Sequence, residues 1–391
     1  MLVAPDEARS IIERHGRNGT AWQILNPGIS RRRSAVADGL VGYVRTNRIA
    51  VAAGDPVSSK ADLVTVAEEF AALPEHRRVC WFCASAEFVD RITTLKDYHA
   101  TLIGSQPVWH PASWQEQIGS HASLRAQLRR AENKGVVVTE WSAERAGSDR
   151  RLARVLDDWL ASRRFPPLHF LVEPATLGAL EGRRIFVAEQ IGARSTGRQN
   201  SDASIRSRVV GFVILSPIPQ RNGWLVEQFV RQPAAIEKIA RTASRAASYY
   251  APSVSREGAP NGTIELTVSC AINTVAAEGY DYVTLGLAPL SQHNGVPGQG
   301  DRFLRFLFAW TRLHGRRFYN FDGLDHFKTK FRPEQWEPIY AVANEPRISI
   351  GTLHAVGAAF SSGSPLLRLT QGITRAVTAE ARSLLRSRRH L

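Results

Sequence analysis

The chain has 391 residues, 43% of them apolar and 22% charged, with 50 Lys and Arg against 36 Asp and Glu for a net charge of +14. That length holds two ordinary domains with their own cores, and the composition excludes a disordered chain. The basic excess points to a polyanionic partner, either nucleic acid or an anionic membrane face, unless the protein is merely basic.

No stretch approaches the roughly 20 apolar residues that span a bilayer. The nearest, 348–360, is short and contains His354. The opening MLVAPDEARS has acids where a signal peptide needs a basic start. The expected location is therefore the cytoplasm, with any lipid reached peripherally from the inner face of the cell membrane. Cys80 and Cys83 have the spacing of a metal or redox pair but lie in VCWFCA, which reads as a buried strand. With no second pair to complete a zinc site, they read as core cysteines, and no metal is expected.

Leu40–Val44 and Ile49–Ala53 read as paired strands, the second stopped by Gly54-Asp55-Pro56. Residues 61–73 follow as a helix, 78–83 as a strand, and 121–135 as a helix ended by Gly135. On that last helix Arg125, Arg129, Arg130 and Lys134 form a cationic surface suited to phosphates, or simply a solvated face.

A second half begins near Leu152. Residues 155–163 read as a helix, and 185–189, 209–215 and 224–231 as strands. A helix over 263–278 is closed by Gly279, and a strand over 282–287 follows. Asp301 can cap a helix running to His314, and Phe318–Phe321 resumes the sheet. Two polar segments, 192–208 and 234–258, look like insertions, the latter with Lys238, Arg241 and Arg245. Beyond 345, Leu366, Leu369, Ile373, Val377, Ala381 and Leu384 make an apolar helical stripe with arginines on another face. Such a helix either lies on an anionic membrane or packs on the domain.

The run from Arg317 to Tyr340, RFYNFDGLDHFKTKFRPEQWEPIY, sets Lys328 and Lys330 among aromatic rings. Together with Thr284–Ser291 (TLGLAPLS), it resembles the C-terminal catalytic domain of the phosphatidylglycerol lysyltransferase, or aminoacyl-phosphatidylglycerol synthase, family. The element order is that of acetyltransferase-like folds. We expect an α+β protein of tandem acetyltransferase-like (GNAT) domains, with mixed central sheets flanked by helices. Residues 1–145 form an N-terminal unit ending in the basic helix, 146–345 the catalytic unit, and 346–391 a basic, partly helical tail.

The resemblance implies an aminoacyl group moved from tRNA to a membrane lipid such as phosphatidylglycerol, or to another small acceptor. It assigns the reactive-site lysine to Lys328, and tRNA contact to the basic helix with Arg125, Arg129, Arg130 and Lys134. Alternation in an extended segment would put Lys328 and Lys330 on one side, facing a phosphate-bearing substrate; otherwise the rings are core and the lysines snorkel. Arg231 is a fork for a phosphate or oxyanion, or one half of a salt bridge.

Family members carry an acid where this chain has Gln228, and Gln cannot act as a general base. Glu265 is the nearest replacement. Lys328, Arg231 and Glu265 thus form the expected catalytic set, with Gln228, Asn261, Gly262, Lys330 and Asp322 as the substrate-binding set. Aminoacyl-tRNA serves as co-substrate, and no cofactor is implied. Two readings of other classes compete. One is a noncatalytic RNA- or membrane-binding module, favoured by Gln228 and the 234–258 insertion. The other is an acyl-CoA N-acyltransferase, disfavoured because Pro260-Asn261-Gly262-Thr263 replaces the extended glycine-rich phosphate cradle.

Overall fold

A computed structural model describes residues 1–163, 168–192, 207–234, 258–314 and 321–361, except the side chains of 309–314 and 321. The apolar stripe beyond 361, the helix carrying Lys238, Arg241 and Arg245, and most of the 192–208 insertion lie outside the described residues.

The described strands join in one sheet. They are β1 (Ser30–Arg33), β2 (Leu40–Thr46), β3 (Ile49–Ala53), β4 (Arg78–Ser85), β5 (His99–Trp109) and β6 (Val136–Trp141), followed by β7 (Arg184–Ile191), β8 (Ser207–Ile218), β9 (Gly223–Arg231), β10 (Tyr282–Thr284), β11 (Ala288–Pro289) and β12 (Gln335–Ala343). Their order is β1-β2-β3-β4-β12-β5-β10-β9-β8-β7-β6, with β11 paired to β5. Helices flank this mixed sheet, giving the expected α+β class.

Each half contains an antiparallel strand pair, a crossover helix and a parallel return. In the first, β2 and β3 lead through the helix Leu63–Ala71 to β4; in the second, β8 and β9 lead through Thr263–Ala277 to β10. These are the two acetyltransferase-like units. They also exchange strands. β12 lies antiparallel between β4 and β5, whereas β6, which precedes residue 146, pairs with β7 at the far end.

A buried polar cluster further ties the units. Glu227 lies at a bulge in β9, where the register with β8 shifts, and its carboxylate meets Arg183 at 2.6 Å. Gln23 donates to Glu227 at 2.6 Å and to Ser216 at 2.9 Å, while Arg183 also reaches Asn26 at 3.1 Å. Removing one member would leave a buried charge or donor unpaired.

Much of the second unit's core gathers on the crossover helix Thr263–Ala277, with Trp109, Trp114 and Phe331. Asp301 caps its helix as expected, accepting from the backbone N–H of Phe303 at 2.8 Å and of Leu304 at 3.1 Å. Cys80 and Cys83 are buried free thiols of β4, and burial pushes the Cys80 thiol up to about 12, consistent with core packing. Among the described residues, no helix is long and apolar enough to cross a membrane.

The lysine-bearing run requires a correction. The extended segment expected over 327–331 is a helix from Phe321 to Thr329, and its backbone bonding continues to Lys330, whose N–H donates to the His326 carbonyl. The helix also begins at Phe321, the end of the strand expected over 318–321, whose first three residues lie outside the description. Aromatic density suggested β structure, but Leu324, Phe327 and Phe331 sit at helical spacing, and Phe327 and Phe331 join the core. Two positions apart on a helix are roughly 200° apart around its axis. Lys328 and Lys330 therefore diverge.

Candidate active site

The cleft begins where two parallel strands part. β9 and β10 pair over Gly223–Leu225 and Tyr282–Thr284, and β9 then continues to Arg231. Into this opening comes the start of the crossover helix at Thr263, with its first-turn N–H groups free of helical partners. Gly262 makes the approach possible. Its φ is +92°, and a Cβ there would lie 2.1 Å from the Gln127 carbonyl oxygen of the basic helix, Ala122–Glu132. The basic helix thus rests directly on the crossover helix's N-terminus.

The resulting cleft has a volume of about 490 Å³, within the range of small-molecule sites. Among the described residues, four cationic side chains line it: Arg130, Arg163, Arg231 and Lys330. Three aromatic rings do as well, from Trp159, Phe229 and Phe327. Phe229 and Phe327 pack at 4.9 Å between centroids, tilted 32°, while the Arg163 guanidinium lies 3.8 Å from the Trp159 ring centre. Among the described lining residues Glu265 is the one acid. It lies in the first turn of the crossover helix, where the helix dipole favours a negative charge, and its carboxylate meets Lys330 Nζ at 2.5 Å.

The structure brings together Arg231, Glu265, Asn261, Gly262, Lys330 and Arg130 from the residues singled out in the sequence. The others lie elsewhere. Lys328 is 3% exposed, and its Nζ donates to the carbonyls of Leu285, Gly286 and Leu287 at 2.6, 2.7 and 2.8 Å. Burial lowers its pKa to about 7, with nearby Asp325 pulling the other way. This ammonium fastens the TLGLAPLS segment to the lysine-bearing helix, a physical reason for the two motifs to occur together.

Gln228 sits on the opposite face of β9 from Phe229 and Arg231. Its Nε2 donates to the Pro174 carbonyl at 3.1 Å, and its Oε1 accepts from Thr176. Its amide is thus held by the 174–176 segment, and it does not line the cleft. Asp322 lies in the first turn of Phe321–Thr329, also away from the lining.

Of the basic-helix set, Arg130 reaches the cleft. Arg125 bends back onto the carbonyls of Ile118 and Gly119, capping the preceding helix, while Arg129 and Lys134 are exposed. Sequence reasoning missed Trp159, Arg163 and Phe229; Phe327 is one of the rings expected beside the lysines, and it lines the cleft. A readable signal existed for the first two: Trp159 and Arg163 are four apart at the end of a helical pattern, on one face. Among the described residues, no group of three or more His, Cys, Asp or Glu side chains is placed to hold a metal ion.

Solved structures share this architecture. The C-terminal domain of a candidate lysylphosphatidylglycerol synthetase from Agrobacterium fabrum is 20% identical with a TM-score of 0.67, covering 92% of this chain and 97% of that one. L-PGS from Bacillus licheniformis is 18% identical with a TM-score of 0.66, covering 91% and 95%. FemX is 9% identical with a TM-score of 0.53, covering 87% and 96%. At such identities the likeness establishes the fold. No individually curated protein sequence matches the chain significantly. The family model for the phosphatidylglycerol lysyltransferase C-terminal region matches residues 9–248 and 255–343, most of the chain, and this protein belongs to that family.

Proposed function

We propose that the protein is an aminoacyltransferase, taking an aminoacyl ester from tRNA and passing it to the hydroxyl of phosphatidylglycerol or another small acceptor. The observation that carries this reading is the cleft, whose described lining sets the Glu265 carboxylate among the cations Arg130, Arg163, Arg231 and Lys330 and the rings of Trp159, Phe229 and Phe327. Such a lining suits a reacting ester whose partners carry phosphates.

In this reaction the acceptor oxygen attacks the ester carbonyl, forming the new C–O bond. The bond to the tRNA 3′ oxygen breaks, and the acceptor's proton ends on that leaving oxygen. Glu265, which lines the cleft, carries the proton. Arg231 and Lys330 stabilise the negative charge on the carbonyl oxygen as it develops. One ester replaces another, so the exchange is nearly isoenergetic and requires neither ATP nor a metal; positioning and charge stabilisation suffice. Lys328 acts as a positioning residue, holding the Leu285–Leu287 segment. A lipid acceptor would place the protein peripherally at the membrane.

The test is to incubate the protein with tRNAs charged with labelled amino acids and phosphatidylglycerol vesicles, then follow label into lipid or solute. RNase-sensitive transfer is expected. Salt-sensitive tRNA binding without transfer would instead select the noncatalytic binding module. Thermal stabilisation by coenzyme A, with no response to tRNA, would select the acyl-CoA enzyme.

A further inference from the structure

Trp159 stands apart from the other rings of the cleft. Phe229 and Phe327 pack on the core around the crossover helix, whereas Trp159 packs on a separate cluster built from Trp141, Leu152, Val155 and Phe212. Its indole is only partly buried, and it lines the cleft near the end of the helix Arg150–Ser162. Arg163, an exposed residue, lies over its face at 3.8 Å. The helix end is held in place independently, because Asp158 accepts a 2.8 Å hydrogen bond from Gln232, next to Arg231 on β9. The ring thus has an anchored position, a guanidinium on one face and further cations lining the same cleft.

We propose that Trp159 is a base-stacking platform, on which the base of a phosphate-bearing nucleotide lies in the place now taken by the Arg163 guanidinium. The shared ligand chemistry is a nucleobase on phosphate esters. Under the reading above, on which this inference rests, it comes from the 3′ end of tRNA; coenzyme A is the other source. An exposed guanidinium on an aromatic ring contributes roughly two- to fivefold in affinity. A base stacked on an aromatic ring contributes roughly five- to 150-fold. Stacking exceeds the guanidinium–ring contact that it replaces. Displaced, Arg163 remains at the cleft wall as a partner for a phosphate, and Arg130 and Arg231 line the same cavity. This is the pairing of aromatic platform and cationic groove that binds single-stranded nucleic acid.

The test compares the full-length wild type with Trp159→Ala and Trp159→Phe, each checked for an unchanged melting temperature. Binding is measured at one fixed low salt concentration to a short RNA ending in CCA, to the same RNA with an abasic 3′ end, and to coenzyme A. For wild type the CCA-ended RNA is expected to bind more tightly than the abasic one. Trp159→Ala is expected to weaken the CCA-ended RNA about 10- to 100-fold and leave the abasic RNA within about twofold, with Trp159→Phe in between.

Equal losses for both RNAs, or none for either, would overturn the platform while leaving tRNA-dependent transfer standing. A Trp159 dependence seen with coenzyme A alone would keep the platform but remove the tRNA reading. Failure of all three ligands to bind wild type would overturn both.

Discussion

The two crossover units share one plan yet end in opposite states. In the first, β3 and β4 pair over five positions, Ile49–Ala53 with Arg78–Phe82, and the Gly54 N–H extends the contact to the Phe82 carbonyl at 2.7 Å. Asp55 then fills the place where the strands would part. It is 8% exposed and accepts from the Ser85 backbone N–H at 2.8 Å and hydroxyl at 2.6 Å. A space of about 10 Å³ remains beside it, too small for a ligand. In the second unit the parallel pairing stops after three positions, and Arg231 stands at a cleft of about 490 Å³. A buried acid bonded to the next strand closes one crossover, while a cation at the end of a longer strand leaves the other open. The fold supplies both positions, and the residues at the strand's end distinguish the closed crossover from the open one.

The most severe way to break this contrast is to remove the cation from the open unit. Arg231→Ala is expected to lower aminoacyl transfer about 100- to 1000-fold, the range for losing a donor to a developing oxyanion. The melting temperature should stay within about 2 °C. Turnover close to wild type would mean that chemistry happens elsewhere.

Lys328→Met sharpens the distinction between the cleft and its support. Three carbonyls would lose their donor, at a cost of about 2–4 kcal/mol. The folded pKa of about 7 lies below the ordinary lysine value, so between the two the unfolded chain binds more protons. This group therefore makes stability rise with pH from about 7 towards the unfolded lysine value. Denaturant titrations across that window should show the rise in wild type and a flatter profile in the variant. Identical profiles would show that the ammonium is not desolvated as described.

Asp55→Ala tests the closed unit. It should destabilise by about 1–3 kcal/mol, because the Ser85 N–H and hydroxyl lose their acceptor. Affinity for charged tRNA should be unchanged. A change in affinity without loss of stability would mean that the closed crossover also binds substrate.

What could be read in advance was the local structure. The paired strands at 40–44 and 49–53, the stop at Gly54-Asp55-Pro56 and the Asp301 cap depend on neighbours in sequence, and the structure has them. The insertion of β12 between β4 and β5 was not legible, because that pairing joins residues at least 227 positions apart. The helix over Phe321–Thr329 was misread because aromatic content outweighed the spacing of Leu324, Phe327 and Phe331. For the site, Arg231, Glu265 and Lys330 were identified from residue type and motif. Their meeting was not, since it depends on how far β9 outruns β10 and on the close approach at Gly262. The one-residue slip at the β9 bulge was invisible too, and it sends Glu227 into the buried cluster with Arg183.

The smallest effect discriminates within the basic helix, four residues that sequence treats alike. Arg130 lines the cleft, while Arg125 is committed to the carbonyls of Ile118 and Gly119. A phosphate contact releases counterions and a capping contact does not. Arg130→Ala should therefore reduce the slope of log affinity for tRNA against log salt by about 0.7–0.9. Arg125→Ala should leave that slope unchanged and lower stability slightly. If Arg125→Ala lowers the slope as much as Arg130→Ala, the RNA runs along the outer face of the helix, and the cleft receives its end from another direction.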